Sequence, residues 1–307
     1  VTHIAGSSHE SGHHETATTA YPDYSTSWGR FHFLLRRLHS LAGVAFGGFI
    51  VVHLAVNASG LSPRDYQLNV DKIHNLEPSL SMIEIATIFS PLLLHMLYGI
   101  YVAFAGVKYN TLQYNYGGNV RYFLQRWTSI ILVLFVVFHI ATLHKWGFHL
   151  VYQITHMKSL EGYAQMGLFN ADNQAFQSTV AGIRNYWNPT NPLDPGNVIV
   201  MAFYLLGVWS AVFHFANGLW TAAIAWGLTV TATAQRRWGH VCLALGAALF
   251  VVGTVAWVAF TIAPAAQGTL SRWDKQTHTR DYPDLSAPGE IPGDTQPTAK
   301  PSTTTQP

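Results

Sequence analysis

NVIVMAFYLLGVWSAVFHFANGLWTAAIAWGL, residues 197–228, contains no aspartate, glutamate, lysine or arginine, and its one histidine is His214. A helix rises about 1.5 Å per residue, so about 20 apolar residues cross the roughly 30 Å hydrocarbon core of a bilayer. This stretch is long enough to do so. It belongs to a charge-free window between Asp194 and Arg236, and four more such windows lie between Arg37 and Arg64, Glu84 and Lys108, Arg126 and Lys145, and Arg237 and Arg272. The third is the tightest and brings His144 to its rim. One soluble core has no use for five such windows. The chain is therefore read as all-α, an integral membrane bundle of five transmembrane helices at 35–57, 83–107, 123–144, 197–228 and 240–264.

The composition agrees. Charged residues are 10% of the 307 and hydrophobic ones 49%, whereas soluble domains carry roughly 25% charged residues. The charge-poor chain has a formal net charge of +2, which gives no case for a nucleic-acid partner. Residues 1–30 are rich in Ser, Thr, Gly and His and are read as a polar N-terminal tail. They contain no apolar h-region, so no cleaved signal peptide is expected. Residues 31–264 form the membrane domain, with 150–196 as a long outer connection. Residues 265–307 form a Pro/Thr-rich C-terminal tail. No internal repeat is visible.

Lysine and arginine in short loops orient a membrane chain. Arg30, Arg36 and Arg37 precede the first span, Lys108, Arg121 and Arg126 surround the turn between spans two and three, and Arg236 and Arg237 are assigned to the turn between spans four and five. This predicts a multi-pass protein of the plasma membrane with its N-terminus cytoplasmic and its C-terminus outside. The 150–196 connection then caps the outer face, where Trp146 and Tyr152 suit an interfacial belt.

Position separates the 16 histidines. His3, His9, His13 and His14 fall in the tail, and His74, His156 and His278 in loops. His53, His95, His139 and His214 lie deep in spans one to four, one on each. An ionisable group at membrane depth is costly and is a functional candidate by default. Paired imidazoles on facing helices are the ligand set of a haem iron, and a bundle interior is a normal place for one. The single cysteine, Cys242, excludes a Cys-x-x-Cys-His attachment, so such a haem is held non-covalently. Counting residues from the span ends puts His53 and His139 within roughly 10 Å of the outer surface and His95 and His214 about 16–26 Å deep. The expected pairs are therefore His53 with His139 and His95 with His214. Zinc and a proton path are the rival uses. Zinc favours ligands converging on one point, which two depth layers oppose.

Several other residues have two readings. Arg36, Arg37 and Arg126 at the inner rim suit haem propionates or simply obey the positive-inside rule. His39 and Ser40 suit a propionate, a quinone carbonyl or ordinary packing. Glu84 suits proton delivery to a quinone or a helix start at the interface. Gly43, Gly47, Gly48, Gly99 and Gly218 give either room for a porphyrin or close helix packing.

Taken in order, RRLHSLAG (36–43), HLAVN (53–57), Glu84-Ile85, PLLLH (91–95), YGIY (98–101), Gln125-Arg126, His139, FHFANGLW (213–220) and Trp226-Gly227 resemble the di-haem cytochrome b anchor of succinate dehydrogenases and fumarate reductases, in its single-subunit, five-helix form. The resemblance covers residues 28–262. It implies two haems b with axial ligands at His53, His139, His95 and His214, and a membrane quinone, menaquinone rather than ubiquinone. It also implies a flavoprotein and an iron–sulphur subunit docked on the cytoplasmic face, with succinate chemistry on those partners. The reverse reaction, quinol:fumarate reduction, and a haem-free anchor are the alternatives. The 150–196 connection and both tails are longer than in compact members of that family.

Overall fold

In a computed structural model of the chain, five helices are long and apolar enough to cross a membrane, over Gly29–Leu61, Leu80–Phe104, Gly117–Leu143, Pro195–Ala225 and Ala232–Thr261. The structure describes residues 26–105, 117–144, 153–156, 169–171, 174–188, 191–262, 272–274 and 279–281. Lys108, Trp146 and Tyr152, and nearly all of both predicted tails, lie outside them.

Helix α1 is Ser27–Ala58, and a 3₁₀ turn over Ser59–Leu61 extends it. Helix α2, Pro63–His74, follows. The second span is composite: α3 is Leu80–Glu84, a π-helical turn occupies Ile85–Phe89, and α4 is Ser90–Ala105. Pro91 lies two residues past that turn and cannot donate a backbone hydrogen bond to it, one recognised cause of such irregularities. Helices α5 (Gly117–Leu143), α6 (Ala175–Ile183), α7 (Pro195–Ala225) and α8 (Ala232–Thr261) complete the bundle. Two three-residue strands, Arg272–Asp274 and Thr279–Asp281, pair antiparallel within the predicted C-terminal tail.

Local chemistry sets the helix ends. Thr26, Ser62, Asp194 and Thr231 each accept a first-turn amide, and Pro63 and Pro195 open their helices, where no amide is missed. Helix α7 stops at Gly227, whose φ of 72° suits glycine. There Gly227 N donates to the Ile224 carbonyl at 3.0 Å and Leu228 N to the Ala223 carbonyl at 2.9 Å, a Schellman ending. The turn to α8 therefore covers only 226–231, and Arg236 and Arg237 belong to α8 rather than to that turn. The fifth span, expected from 240, starts at Ala232 because arginines at a membrane rim can stay helical while their heads reach water. The first and third spans likewise begin earlier than expected, at Ser27 and Gly117.

Helix α7 packs on α5, α8 and α1, and α1 packs on α4 and α8, whereas α4 and α5 barely touch. Leu134, Val137, Leu206, Leu243 and Val251 point outward and are exposed, as lipid-facing side chains should be. The largest buried cluster lies at the distal end, where α1, α5 and α8 finish. There the Tyr66 ring meets Phe176 and Phe260 edge to face over Val180, Val200 and Tyr204.

Residues 150–196 were expected to be an outer cap. Within them every residue of α6 is buried, including Gln177, Ser178 and Thr179. Helix α2 supports it: Gln67 accepts from Ala175 N at 2.8 Å and donates to the Ala171 carbonyl at 2.7 Å. Thr179 spends its hydroxyl proton on the Ala175 carbonyl, so the Tyr66 hydroxyl donates to Thr179 at 3.2 Å. Burial pushes the Tyr66 hydroxyl up to about 12, so it remains a donor at any ordinary pH. Asn197, fully buried, accepts from the amides of Trp187 and Asn188 and donates to the carbonyls of Asn188 and Asn191.

Asn197→Ala removes four hydrogen bonds to backbone groups; the Asn191 carbonyl keeps the Asp194 amide, and each group left orphaned costs about 1–3 kcal/mol. Thermal unfolding in detergent should drop accordingly, and limited proteolysis should begin at 185–194. Unchanged melting and proteolysis would mean that water replaces the side chain without penalty.

Candidate functional site

The four intramembrane histidines meet in two pairs. His53 of α1 and His139 of α5 have ring centroids 5.9 Å apart and planes at 88°. His95 of α4 and His214 of α7 are 6.0 Å apart at 87°. The level of each pair follows from its neighbours. Gly43 of α1 abuts His95, and His53 lies ten residues further along the same helix, about 15 Å. Thr128 of α5 faces His214, and His139 lies eleven residues on, about 16 Å. Two helices thus give the same separation independently. The His95–His214 pair is proximal, toward the N-terminus of α1, and the His53–His139 pair is distal.

The proximal pair is held on both sides. The Nδ1 of His95 lies 2.9 Å from the His39 carbonyl. A carbonyl only accepts, so Nδ1 carries the proton and Nε2 keeps its lone pair. The His39 ring stacks on His95 at 4.0 Å and 8°. A Cβ on Gly43 would come within 2.6 Å of His95 Cε1, and one on Gly47 would collide with the Phe215 ring. Among the glycines weighed for porphyrin room, only Gly48 faces open space; Gly99 faces the His39 ring and Gly218 the Gln125 amide. Close packing is the role the structure gives the other four.

At the proximal rim each remaining candidate makes a protein contact. The Arg37 guanidinium lies over the Phe33 ring at 4.8 Å and the Trp226 ring at 4.9 Å. Ser40 accepts from Trp226 Nε1 at 3.3 Å, so Trp226 ties the end of α7 to α1. Arg126 donates to the Ala103 carbonyl across the sparse α4–α5 seam. Arg36 is exposed. At the distal end Glu84 closes α3 just before the π turn. It lies within electrostatic reach of His144, whose ring is 6.4 Å from that of Phe89.

No protein-family model matches the chain. Its sequence is 36% identical over 234 residues to the succinate dehydrogenase cytochrome b558 subunit of Bacillus subtilis (strain 168), across 76% of this chain and 98% of the relative. The chain belongs to the succinate dehydrogenase cytochrome b subunit family.

The donor sets fit the cofactor that membership implies. An imidazole nitrogen binds a first-row metal at about 2 Å with its ring centroid about 1 Å behind, so two imidazoles sharing one metal have centroids about 6 Å apart. Both pairs meet that spacing. Among the described residues no group of three or more His, Cys, Asp or Glu converges, which removes the four-ligand zinc reading there.

Sequence reasoning missed one polar assembly beside His214. Arg121 Nε donates to Asn217 Oδ1 at 2.8 Å, Asn217 Nδ2 to Gln125 Oε1 at 2.7 Å, and Gln125 Nε2 to the His214 carbonyl at 3.2 Å. Arg121 also covers the Trp220 ring at 3.9 Å. Its signal was present as Gln125 and Asn217, two amides inside otherwise apolar runs.

Gly43→Val drives a side chain into His95, whereas Gly48→Val adds one to open space. Pyridine haemochrome assay should show haem per chain lowered in the first, as overpacking shifts the His95 ring, and unchanged in the second. Equal haem in both would detach the Gly43 contact from cofactor binding.

Proposed function

We propose that this chain is the quinone-reactive membrane anchor of a succinate dehydrogenase and holds two haems b, one on His53 and His139 and one on His95 and His214. The observation that carries the reading is the pair of matched, near-perpendicular imidazole sets, about 15 Å apart along the helices, in a member of a cytochrome b family. When bound, the haems supply one-electron carriers at two depths, between an iron–sulphur partner on one face and a membrane quinone toward the other.

The protein's own work is positioning and electrostatics. The four helices fix the depth of each lone pair. The His39 carbonyl sets the tautomer of His95. Arg36, Arg37 and Arg126 surround the proximal rim with positive charge, which favours propionates and lowers the cost of adding an electron nearby. The same rim, with Arg121, Arg236 and Arg237, is the proposed cytoplasmic docking face for the iron–sulphur and flavoprotein subunits. The N-terminus is then inside, the C-terminus outside and the membrane the plasma membrane. Glu84, beside His144 and next to the π turn, is the proposed proton donor to a reduced quinone at the distal end. The quinone is proposed to be menaquinone. Its reduction by succinate runs uphill, and a transmembrane field worth about 2.3 kcal/mol per charge per 100 mV offsets that.

Three measurements test this. A reduced-minus-oxidised spectrum should show two b haems per chain, with a different one lost in His214→Ala and in His53→Ala; a chain without haem would return the protein to a plain anchor. Glu84→Gln should slow quinone reduction by about a hundredfold or more, the scale of a lost acid–base group, while both haems stay reducible. In sealed vesicles an uncoupler should inhibit succinate:quinone activity. Activity indifferent to the uncoupler would eliminate the field-assisted route.

A further inference from the structure

We propose that Thr128 is the positioning residue of the proximal centre: its hydroxyl oxygen accepts the Nδ1–H of His214 and so fixes the tautomer that presents Nε2 to iron. This inference rests on the haem reading above. The direction of the contact follows from proton counting. The Thr128 hydroxyl lies 2.7 Å from the Leu124 carbonyl and 3.1 Å from the Gln125 carbonyl. Both are acceptors only, so its single proton is committed to its own helix. What faces His214 Nδ1, at 3.4 Å, is an oxygen lone pair. The distance is at the long end of hydrogen bonding, and the nitrogen must be the donor.

The backbone of His214 is held from the same helix. The relay Arg121–Asn217–Gln125 ends on its carbonyl, with every step running from donor to acceptor in one direction. Gln125 and Thr128 are one turn apart on α5, so one helix face grips both the main chain and the ring of His214. The proximal pair thus has two unlike acceptors behind it. His95 uses the His39 carbonyl, which no substitution removes. His214 uses a side-chain hydroxyl, which one substitution erases. The distal centre differs, since His139 Nδ1 is buried and has no hydrogen-bond partner among the described residues.

An accepted Nδ1–H makes an imidazole a stronger donor to its metal and so favours the oxidised iron. Loss of the acceptor should raise the midpoint potential of one haem and leave the other in place. The test is redox titration of the intact complex, followed by haem absorbance, in wild type, Thr128→Val, Thr128→Ala and Thr128→Ser. The expected result is one midpoint moved to more positive potential in the valine and alanine variants, with serine at the wild-type value. Loss of one haem in valine and alanine but not in serine supports the same conclusion. Unchanged midpoints at full haem content in both hydroxyl-free variants would overturn the inference and leave the haem reading standing. So would a serine variant that shifts or loses haem like the others. A wild-type complex without haem on this chain would overturn both.

Discussion

A neutral imidazole deep in a hydrocarbon span has two nitrogens and no water, and each nitrogen left alone is costly. The bundle is arranged around that constraint. Helix α1 reaches α4 through Gly43, so that His95 can meet the His39 carbonyl. Helix α5 lies on α7 so that Thr128 and Gln125 can meet His214. The other nitrogen of each ring is left for its mate across the bundle. Each histidine pair joins helices that do not lean on one another directly, α1 with α5 and α4 with α7.

The two ends of the bundle solve different problems. At the proximal end aromatic rings and arginines form a polar rim, with Trp226 between Arg37 and Ser40 and Trp220 beneath Arg121. At the distal end, α2 and the wholly buried α6 close the bundle, joined by Gln67 and Tyr66, while Asn197 ties down Trp187, Asn188 and Asn191. The first end is charged and open to a partner. The second is densely hydrogen-bonded, with Glu84 and His144 at its edge.

Much of this was legible in the sequence because depth along a helix is linear in residue number. Charge-free windows located all five spans, and counting from their ends showed which histidines would come together. Helix termini were less legible. Arginines marked a boundary by composition, yet α8 runs through Arg236 and Arg237, and the true stop signal was Gly227. Rotation about each helix axis was not legible at all. Nothing in the order of Arg121, Gln125, Thr128 and Asn217 says that they share one seam, since that depends on the crossing of α5 and α7. Nor could composition tell that α6 is buried, because the α2 side chains that meet it, Gln67 on the Ala175 amide and Tyr66 on Thr179, lie more than a hundred positions away.

The π turn at Ile85–Phe89 divides the second span into two segments that need not share a phase. Each residue turns an α-helix by about 100°, and one extra residue in a turn of the ladder resets the heading of everything before it. Glu84 sits before the reset and His95 after it. The azimuth of the carboxylate is thereby uncoupled from that of the His95 ring. Chain-length variation within those few residues can swing the Glu84 edge, while the half that carries His95 keeps its bearing.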